Sequence, residues 1–311
     1  MTRKVILTVA PTGGFLTKAQ TPHVPTQPAE IVADVVRCHG AGASMVALHA
    51  RRPDDQATCD PAVYRAINEG IRERCDIVLG NSTGGGFDGD LAMPGTGSHR
   101  ESRVEERSRG CEGGAEVCSV NAMTVLGQTS GPPVLMSTTR EESRALVAKM
   151  AGLGVKPEWE AFSPTHLTQD IAALTAELPG PHWVSLCFGL DTVFQGAVGF
   201  DVRTLQFMVD QLPPNALFGV TGQGPVQVSA LAAAIVLGGH VRVGIEDSRW
   251  DAHGELRPNA WFVAWAVRLI EALGCAVATP AEARALLGLP LTRSGRQENA
   301  GERSTTPVGS G

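Results

Sequence analysis

The sequence predicts an α/β protein with a single (β/α)8 TIM barrel over residues 1–290 and a disordered tail over residues 291–311. Eight short apolar segments alternate with helical patterns, which is the order of elements in such a barrel. No break in composition marks a second domain. Polar residues follow several predicted strands, as they do at a barrel mouth. The tail is rich in Ser, Thr, Gly and charged residues, which predicts disorder.

A doubly wound open sheet is the alternative for alternating strands and helices. Such sheets often bind dinucleotides through a GxGxxG fingerprint after the first strand. The corresponding turn here is Pro11-Thr12-Gly13-Gly14, which lacks that pattern. We therefore favour the closed barrel.

The predicted strands are short runs rich in apolar and β-branched residues. They are residues 5–9, 44–49, 77–79, 117–120, 158–160, 183–188, 217–221 and the apolar part of 238–247. Pro28 begins the first helix and Gly40 ends it, while Asp60 caps a second helix that runs to about residue 74. The other predicted helices are residues 140–153, 167–178, 202–212, 226–237, 261–273 and 281–287.

Residues 87–113 form the least regular part of the predicted fold. They are rich in Gly, Arg and Glu and contain one predicted short charged helix around residues 104–109. Two interpretations stay open, namely a solvated excursion and a lid over a functional site.

Composition and charge exclude several classes of protein. The 311 residues are 43% hydrophobic and 19% charged, which is enough apolar material for a large core. The net charge of −6 is spread along the chain and argues against a nucleic-acid or membrane partner. No apolar run is long enough to cross a bilayer. The seven cysteines show no CxxC spacing, so we expect reduced thiols and a cytoplasmic protein.

The stretch 238–247 combines a buried strand pattern with three charged residues. Val241 and Val243 suit a strand that is covered on both faces. Arg242, Glu246 and Asp247 lie where this strand passes into a loop, and such charges need a partner, water or a ligand. A structural ion pair is one interpretation, and a functional site is the other.

Other predicted strands also end in polar residues, which favours the functional interpretation. These residues are His49, Ser82, Asn121, Glu158 and Glu160. Because the carboxyl ends of barrel strands meet at one mouth, we expect a pocket there.

Several segments together resemble the β-keto acid cleavage enzyme family, whose founding activity is cleavage of 3-keto-5-aminohexanoate. The matching segments span about residues 6–289. They include Ala10-Pro11-Thr12-Gly13, Leu48-His49-Ala50-Arg51, Asn81-Ser82-Thr83-Gly84-Gly85, Val120-Asn121-Ala122, the stretch 238–248 and Ala278-Thr279-Pro280-Ala281-Glu282-Ala283. Their order and spacing carry the resemblance.

The resemblance implies a retro-Claisen type acyl transfer in which a β-keto acid and acetyl-CoA give acetoacetate and a new acyl-CoA. It implies a divalent metal, usually zinc, with His49 and Glu246 as ligands. The metal would polarise the keto group as a Lewis acid. It places the base at Asp247, its charged partner at Arg242 and a substrate or thioester contact at Ser82. We assign substrate binding to Thr12, Gly13, Thr83, Gly84 and Asn121 in the motifs, to Thr124, which falls near a threonine of the family site, and to Glu160 at the end of the fifth predicted strand.

Two positions depart from the family pattern. Two histidines at i and i+2 would face the same side of a strand, but the first falls on Ala47. His49 and Glu246 alone are fewer than the three protein ligands usual for catalytic zinc, so we expect weak metal binding. His23 and His99 lie in loops and are the candidates to fill the vacancy. A family glutamate falls on Phe15, which suggests a larger, less polar keto acid.

Two other functions stay open. One is a different carbon–carbon lyase on the same barrel, although no lysine ends a predicted strand to form a Schiff base. The other is a non-catalytic protein that binds a keto acid or a CoA ester. The resemblance also implies a homo-oligomer. Trp261 and Trp265 fit either an interface or, by default, the core.

Overall fold

Eight parallel strands close into a barrel in the computed structural model, which describes residues 2–95, 97–129 and 131–291. In chain order, strands one to eight are Leu7–Val9, Met45–Leu48, Val78–Asn81, Val117–Val120, Lys156–Ala161, His182–Phe188, Ala216–Gly222 and His240–Val243. Strand eight pairs with strand one, with Val241 opposite Leu7 and Val243 opposite Val9. The predicted barrel is confirmed. The predicted tail lies outside the described residues except for residue 291.

Helices surround the barrel. They are Pro28–Gly40, Pro61–Arg72, Val104–Arg107, Arg140–Gly152, Ala172–Thr175, Val202–Asp210, Gln227–Val236, Asn259–Ala272 and Pro280–Leu287. A π-helical turn, His166–Ile171, precedes Ala172–Thr175. Within the described residues, no helix combines the length and the apolar character that crossing a membrane requires.

Alternate residues of each strand face the barrel interior or the helices, as the two-residue period of a strand requires. The outward residues, such as Val46, Leu79 and Val241, belong to the main hydrophobic core under the helices. The inward residues at the amino-terminal end form a separate apolar plug. Ile6, Met45, Val78, Val117 and Trp183 build this plug together with side chains of helix Pro280–Leu287. The plug closes one end, so a site must lie at the other end.

A small sheet lies over the open end of the barrel. It consists of strands Met93–Pro94, Arg100–Ser102, Val125–Gly127 and Val134–Met136. The buried Arg107 anchors residues 87–113 by donating hydrogen bonds to Ser137 O at 3.0 Å and Thr138 Oγ1 at 2.7 Å. Phe87, at the start of this segment, lines a cavity below.

Several elements differ from the sequence prediction. The predicted first strand is divided, since Lys4–Val5 pairs with Ala276–Val277 outside the barrel. Strand eight ends at Val243, so Glu246 and Asp247 lie in a following turn. The hairpin of Val125–Gly127 and Val134–Met136 is absent from the prediction.

Gly244 makes the turn after strand eight possible. Its φ is +140°, and an added Cβ would lie 2.2 Å from the carbonyl oxygen of Ala10. The Gly244 carbonyl accepts hydrogen bonds from the N–H groups of Asp247 at 3.0 Å and Ser248 at 2.9 Å. This residue therefore sets the path of the chain that carries Glu246 and Asp247.

We expect Gly244→Ala to lower the free energy of unfolding by about 3–5 kcal/mol, from backbone strain and overpacking together. Gly238→Ala is the matched control, because Gly238 has a φ of +92° but open space around a Cβ. The control should lose only about 1–2 kcal/mol. Urea unfolding of both variants measures the difference, and equal losses would contradict the steric argument.

Candidate functional site

A cavity opens between the carboxyl ends of the strands and the small sheet above them. Six of the polar side chains that line it come from strands two, three, four, five and eight or from the residues just after them. They are His49, Ser82, Asn121, Glu160, Arg242 and Glu246. The cavity measures about 60 Å³ and borders a groove of about 520 Å³ at Phe15 and Phe87. The strand ends thus converge on one mouth, as the positions of these residues in the sequence predict.

Two buried side chains tie the loops around the cavity together. Asn259 accepts a hydrogen bond from Ile245 N at 2.8 Å and donates one to Pro11 O at 3.0 Å. Arg51 donates hydrogen bonds to Gly13 O at 2.9 and 2.7 Å and to Leu16 O at 3.0 Å. The loop after strand one is therefore held against strand two and against the turn after strand eight.

Arg242 binds both carboxylates of the turn that follows its strand. Its Nε and Nη2 donate to Asp247 Oδ2 at 3.0 Å and Oδ1 at 2.6 Å, and Nη2 also donates to Glu246 Oε1 at 3.0 Å. Burial raises the pKa of Asp247 to about 6 although Arg242 opposes the rise. Burial also favours a higher pKa for Glu246, but the attraction of Arg242 and His49 outweighs it and lowers that pKa to about 2. The environment thus favours the ionised form of Glu246 and makes Asp247 the more easily protonated of the two.

His49 faces Glu246 across a distance at which the two side chains can share a proton or a cation. Its Nδ1 lies 2.8 Å from Gly85 O, which can only accept, so Nδ1 carries a proton. Its Nε2 lies 3.3 Å from Glu246 Oε1, and in a neutral ring both atoms would present lone pairs. The other oxygen, Glu246 Oε2, is buried without a hydrogen-bond partner among the described residues. A proton on Nε2 or a bound cation satisfies this arrangement.

Ser82 lines the cavity, and its Oγ also lies 3.5 Å from Ser119 Oγ. Its Oγ accepts hydrogen bonds from the backbone N–H of Gly84 at 2.9 Å and of Gly85 at 3.4 Å. The hydroxyl proton therefore points away from these groups. The amide of Asn121 donates to Glu160 Oε2 at 2.6 Å, which orients that carboxylate on the opposite side.

The barrel mouth carries more negative than positive groups. Burial raises the pKa of Glu158 to about 7, and repulsion from Glu160 adds to the rise. Burial also raises the pKa of Glu160. Glu158 lies one inward position deeper than Glu160, since the two are two residues apart on strand five. Burial therefore makes both carboxyls easier to protonate than carboxyls in water.

Some residues that we assigned to substrate binding do not line this cavity. Thr83 donates its hydroxyl hydrogen bond to Ser119 O at 2.6 Å, and Thr124 Oγ1 pairs with Thr138. Thr12 is buried, and its Oγ1 has no partner among the described residues. Asp247, which we assigned as the base, does not line the cavity either. It lies behind Arg242 with no exposed side-chain surface. Gly13 packs against Glu246, where an added Cβ would lie 2.7 Å from Cγ, while Gly84 does line the cavity.

The cavity residues from strands six and seven were not predicted from the sequence. Cys187 is the residue before the last one of strand six. Thr221 lies near the end of strand seven, and Gln223 follows that strand directly. Thr221 was already the last residue of its predicted strand, so the rule that found His49 would have found it as well. The apolar side chains above the mouth carry no such signal.

The residues present do not fit a three-ligand zinc site. A catalytic zinc usually has three protein ligands. Across residues 2–95, 97–129 and 131–291, no cluster of three or more His, Cys, Asp or Glu side chains is placed to hold a metal. His49 and Glu246 offer two ligands and Ala47 offers none. Neither His23 nor His99 is among the residues that line the cavity.

The fold and the site together define a TIM-barrel protein with an acid–base cluster at the mouth of its barrel. Comparison with known sequences makes this more specific. The profile of the beta-keto acid cleavage enzyme family matches residues 4–289. The chain therefore belongs to the β-keto acid cleavage enzyme family, and the predicted family is confirmed.

Characterised relatives align over almost their whole length. The 3-dehydrocarnitine:acetyl-CoA trimethylamine transferase of Rhizobium meliloti is 32% identical over 93% of this chain and 98% of its own. The 3-keto-5-aminohexanoate cleavage enzyme of Fusobacterium nucleatum is 32% identical over 93% and 99%. The 3-oxoadipate:acetyl-CoA acetyltransferase of Cupriavidus necator is 32% identical over 93% and 96%.

A solved structure supports the fold. ObcA in a binary complex with oxaloacetate superposes with a TM-score of 0.67, covering 88% of this chain and 69% of the ObcA chain. The sequence identity is 21%, so this likeness concerns the barrel architecture alone.

Proposed function

We propose that this protein is a carbon–carbon bond cleaving acyltransferase that converts a β-keto acid and acetyl-CoA into acetoacetate and a new acyl-CoA. The observation that carries the proposal is the cluster of Arg242, Glu246, Asp247 and His49 at the barrel mouth. The names of the relatives support it, since two of them are acetyl-CoA transferases and one is a keto acid cleavage enzyme.

The proposed reaction moves one proton out and back and exchanges two acyl partners. A base removes a proton from C2 of the keto acid, and the carbanion attacks the thioester carbonyl and expels CoA thiolate. The thiolate then attacks the C3 carbonyl. The C2–C3 bond breaks, its electron pair stays on C2, and C2 regains the proton. Acetoacetate therefore contains C1 and C2 of the keto acid and both acetyl carbons, while the rest leaves as acyl-CoA.

Asp247 is the proposed base, and Arg242 is its partner. A base with a pKa near the working pH is effective, and burial raises the pKa of Asp247 to about 6. Arg242 holds both Asp247 oxygens in the structure described here. A substrate carboxylate would compete for this guanidinium, and the exchange would free one Asp247 oxygen to accept the C2 proton.

Ser82 and His49 bind the developing charge in this proposal. The Ser82 hydroxyl proton is available for an oxyanion on the keto acid or the thioester. A protonated His49 would stabilise an enolate oxygen from the side of strand two. Asn121, Glu160 and Gly84 complete the substrate surface.

The groove beside the cavity is the proposed path for acetyl-CoA. It borders the cavity at Phe15, Phe87 and Glu246. Arg100 and Arg249 line the groove, and the Arg249 guanidinium stacks 3.9 Å from the centre of the Trp250 ring. These cations suit the phosphates of CoA, while the acetyl group would reach inward to Ser82.

A divalent metal such as zinc would find only two protein ligands at this site. His49 and Glu246 could hold one, and a bound ion would act as a Lewis acid toward the keto group. The two protein ligands predict weak and readily chelated binding.

Cellular location and assembly are also proposals. All seven cysteines are free thiols, which supports the reducing cytoplasm. A homo-oligomer is supported by an apolar groove of about 680 Å³ that Val228, Trp250, Trp261 and Trp265 line. Trp261 and Trp265 are half-buried and also pack against the core.

An isotope experiment tests the proposed reaction. The purified protein is incubated with acetyl-CoA labelled at the acetyl carbonyl carbon and with 3-oxohexanoate, 3-oxoadipate or 3-keto-5-aminohexanoate. We expect the label at C3 of acetoacetate and unlabelled acyl-CoA derived from the keto acid. Labelled acyl-CoA other than acetyl-CoA, or no acetoacetate from any of the three, would contradict the exchange.

A further inference from the structure

One wall of the cavity is apolar and comes from segments that lie far apart in the sequence. Its side chains are Phe15, Phe87, Met136, Phe162, Leu190 and Phe194, which we call the aromatic wall. These residues follow strands one, three, five and six, except for Met136, which ends a strand of the small sheet. The polar side chains lie on the strands below, so the cavity has two chemically different sides.

Ring contacts make the aromatic wall continuous. The ring centroids of Phe15 and Phe87 are 4.7 Å apart, and those of Phe87 and Phe194 are 5.7 Å apart. Phe162 stacks on Phe194 at 4.9 Å. Such ring pairs contribute a stabilising free energy beyond that of the apolar area that they bury. All members except Phe15 belong to one hydrophobic cluster, separate from the barrel core. The wall is therefore a packed unit.

The charged groups of the cavity are already engaged on the opposite side. The described residues that line the cavity include four ionisable side chains other than Cys187, namely His49, Glu160, Arg242 and Glu246. Glu160 pairs with Asn121, and Glu246 pairs with Arg242 and His49. A charged group on the far end of a substrate would meet the aromatic wall without a partner, and burying an unpaired charge is costly.

Phe15 has the most accessible position in the wall. Its relative exposure is 40%, whereas Phe87, Phe162 and Phe194 are buried. It borders both the cavity and the outer groove. A polar substitution at Phe15 can therefore be hydrated without breaking the packed cluster, which makes this residue the position of choice for changing specificity.

We propose that the aromatic wall selects β-keto acids whose chain beyond C3 is uncharged and apolar, with Phe15 as the specificity-determining residue at the rim. This inference rests on the proposed acyl transfer, because the keto acid head must face Arg242 and Ser82. The acyl chain then lies against the aromatic wall, and the acyl-CoA product carries an alkyl or aryl group.

Three six-carbon keto acids test the proposal. 3-Oxohexanoate ends in a methyl group, 3-oxoadipate in a carboxylate, and 3-keto-5-aminohexanoate carries an ammonium. We expect the wild-type kcat/KM for 3-oxohexanoate to exceed those for the other two by about 100-fold or more, since the charged ends are unpaired. Phe15→Glu should reduce the ratio of kcat/KM for 3-oxohexanoate to kcat/KM for 3-keto-5-aminohexanoate by about 10-fold or more. Equal or better turnover of either charged substrate by the wild type would overturn the proposal.

Control measurements separate this inference from the proposed reaction. Phe207→Glu makes the same chemical change on an exposed helix residue that does not line the cavity, and its specificity should match the wild type. Thermal unfolding verifies that Phe15→Glu is folded. Calorimetric titration with each keto acid, without acetyl-CoA, measures the charge preference apart from turnover. Tighter binding of 3-oxohexanoate without acetoacetate formation would support the proposed specificity of the aromatic wall and contradict the proposed acyl transfer. Equal binding of all three acids would reject the wall.

Discussion

The Asp247→Asn variant is expected to fold and to lose most of its activity, with kcat reduced by about 10²- to 10⁴-fold. A carboxamide keeps the shape of the side chain but cannot accept the C2 proton. Asp247 is bound by Arg242 through two hydrogen bonds, at 3.0 and 2.6 Å, and its side chain is fully buried. Steady-state rates with the best keto acid and saturating acetyl-CoA measure the effect.

Asp251→Asn is a matched control for the loss of a buried ion pair. Asp251 has a side chain that is only 2% exposed and pairs with Arg257 at 2.8 Å, but it does not line the cavity. We expect its kcat to stay within about 2-fold of the wild type, because the pair is structural. A wild-type rate for a folded Asp247→Asn variant would show that Asp247 is not the base. An equal loss in both variants would assign the effect to stability.

The Ala47→His variant is expected to bind zinc tightly, with an affinity about 10²-fold or more above the wild type, because a third ligand completes the set. Ala47 lies two residues before His49 on strand two, so both side chains face the barrel interior. Ala47 is half-buried and lies opposite Gly80 of strand three, which has no side chain to exclude an imidazole. Calorimetric zinc titration compares the two proteins.

Two further variants make the zinc measurement specific. Adding His49→Ala to Ala47→His should abolish the gain, since the site again has only two ligands. Ala151→His adds an imidazole to an exposed position on helix Arg140–Gly152 and should bind no tighter than the wild type. If the wild type bound one zinc tightly and His49→Ala did not weaken it, the two-ligand interpretation would be wrong.

The barrel itself follows from local patterns in the sequence. Strand four, Val117–Val120, and helix Pro28–Gly40 have the predicted bounds, because their ends are marked by residues that stop or start an element. The convergence of His49, Ser82, Asn121 and Glu160 was also predictable. Parallel strands in a closed barrel place their carboxyl ends at one mouth, so a residue's position at a strand end determines its location in space.

Only the tertiary structure decided where the side chains beyond the strands point. The hydroxyls of Thr83 and Thr124 were assigned to substrate but pair with backbone groups of Ser119 and Thr138. The turn at Gly244 places Asp247 behind Arg242. Loop residues lack the two-residue period of a strand, so their directions depend on contacts with distant parts of the chain.

The aromatic wall is the clearest example of a feature that tertiary contacts determine and local sequence patterns do not. The sequence by itself determined the barrel, the mouth and the charged cluster, because strand periodicity and strand ends are local properties. Phe15, Phe87, Phe162 and Phe194 lie in four separate loops, and no spacing in the sequence connects them. Their contacts arise because the closed barrel brings the ends of strands one, three, five and six together, and burial of apolar rings then packs the loops above the mouth.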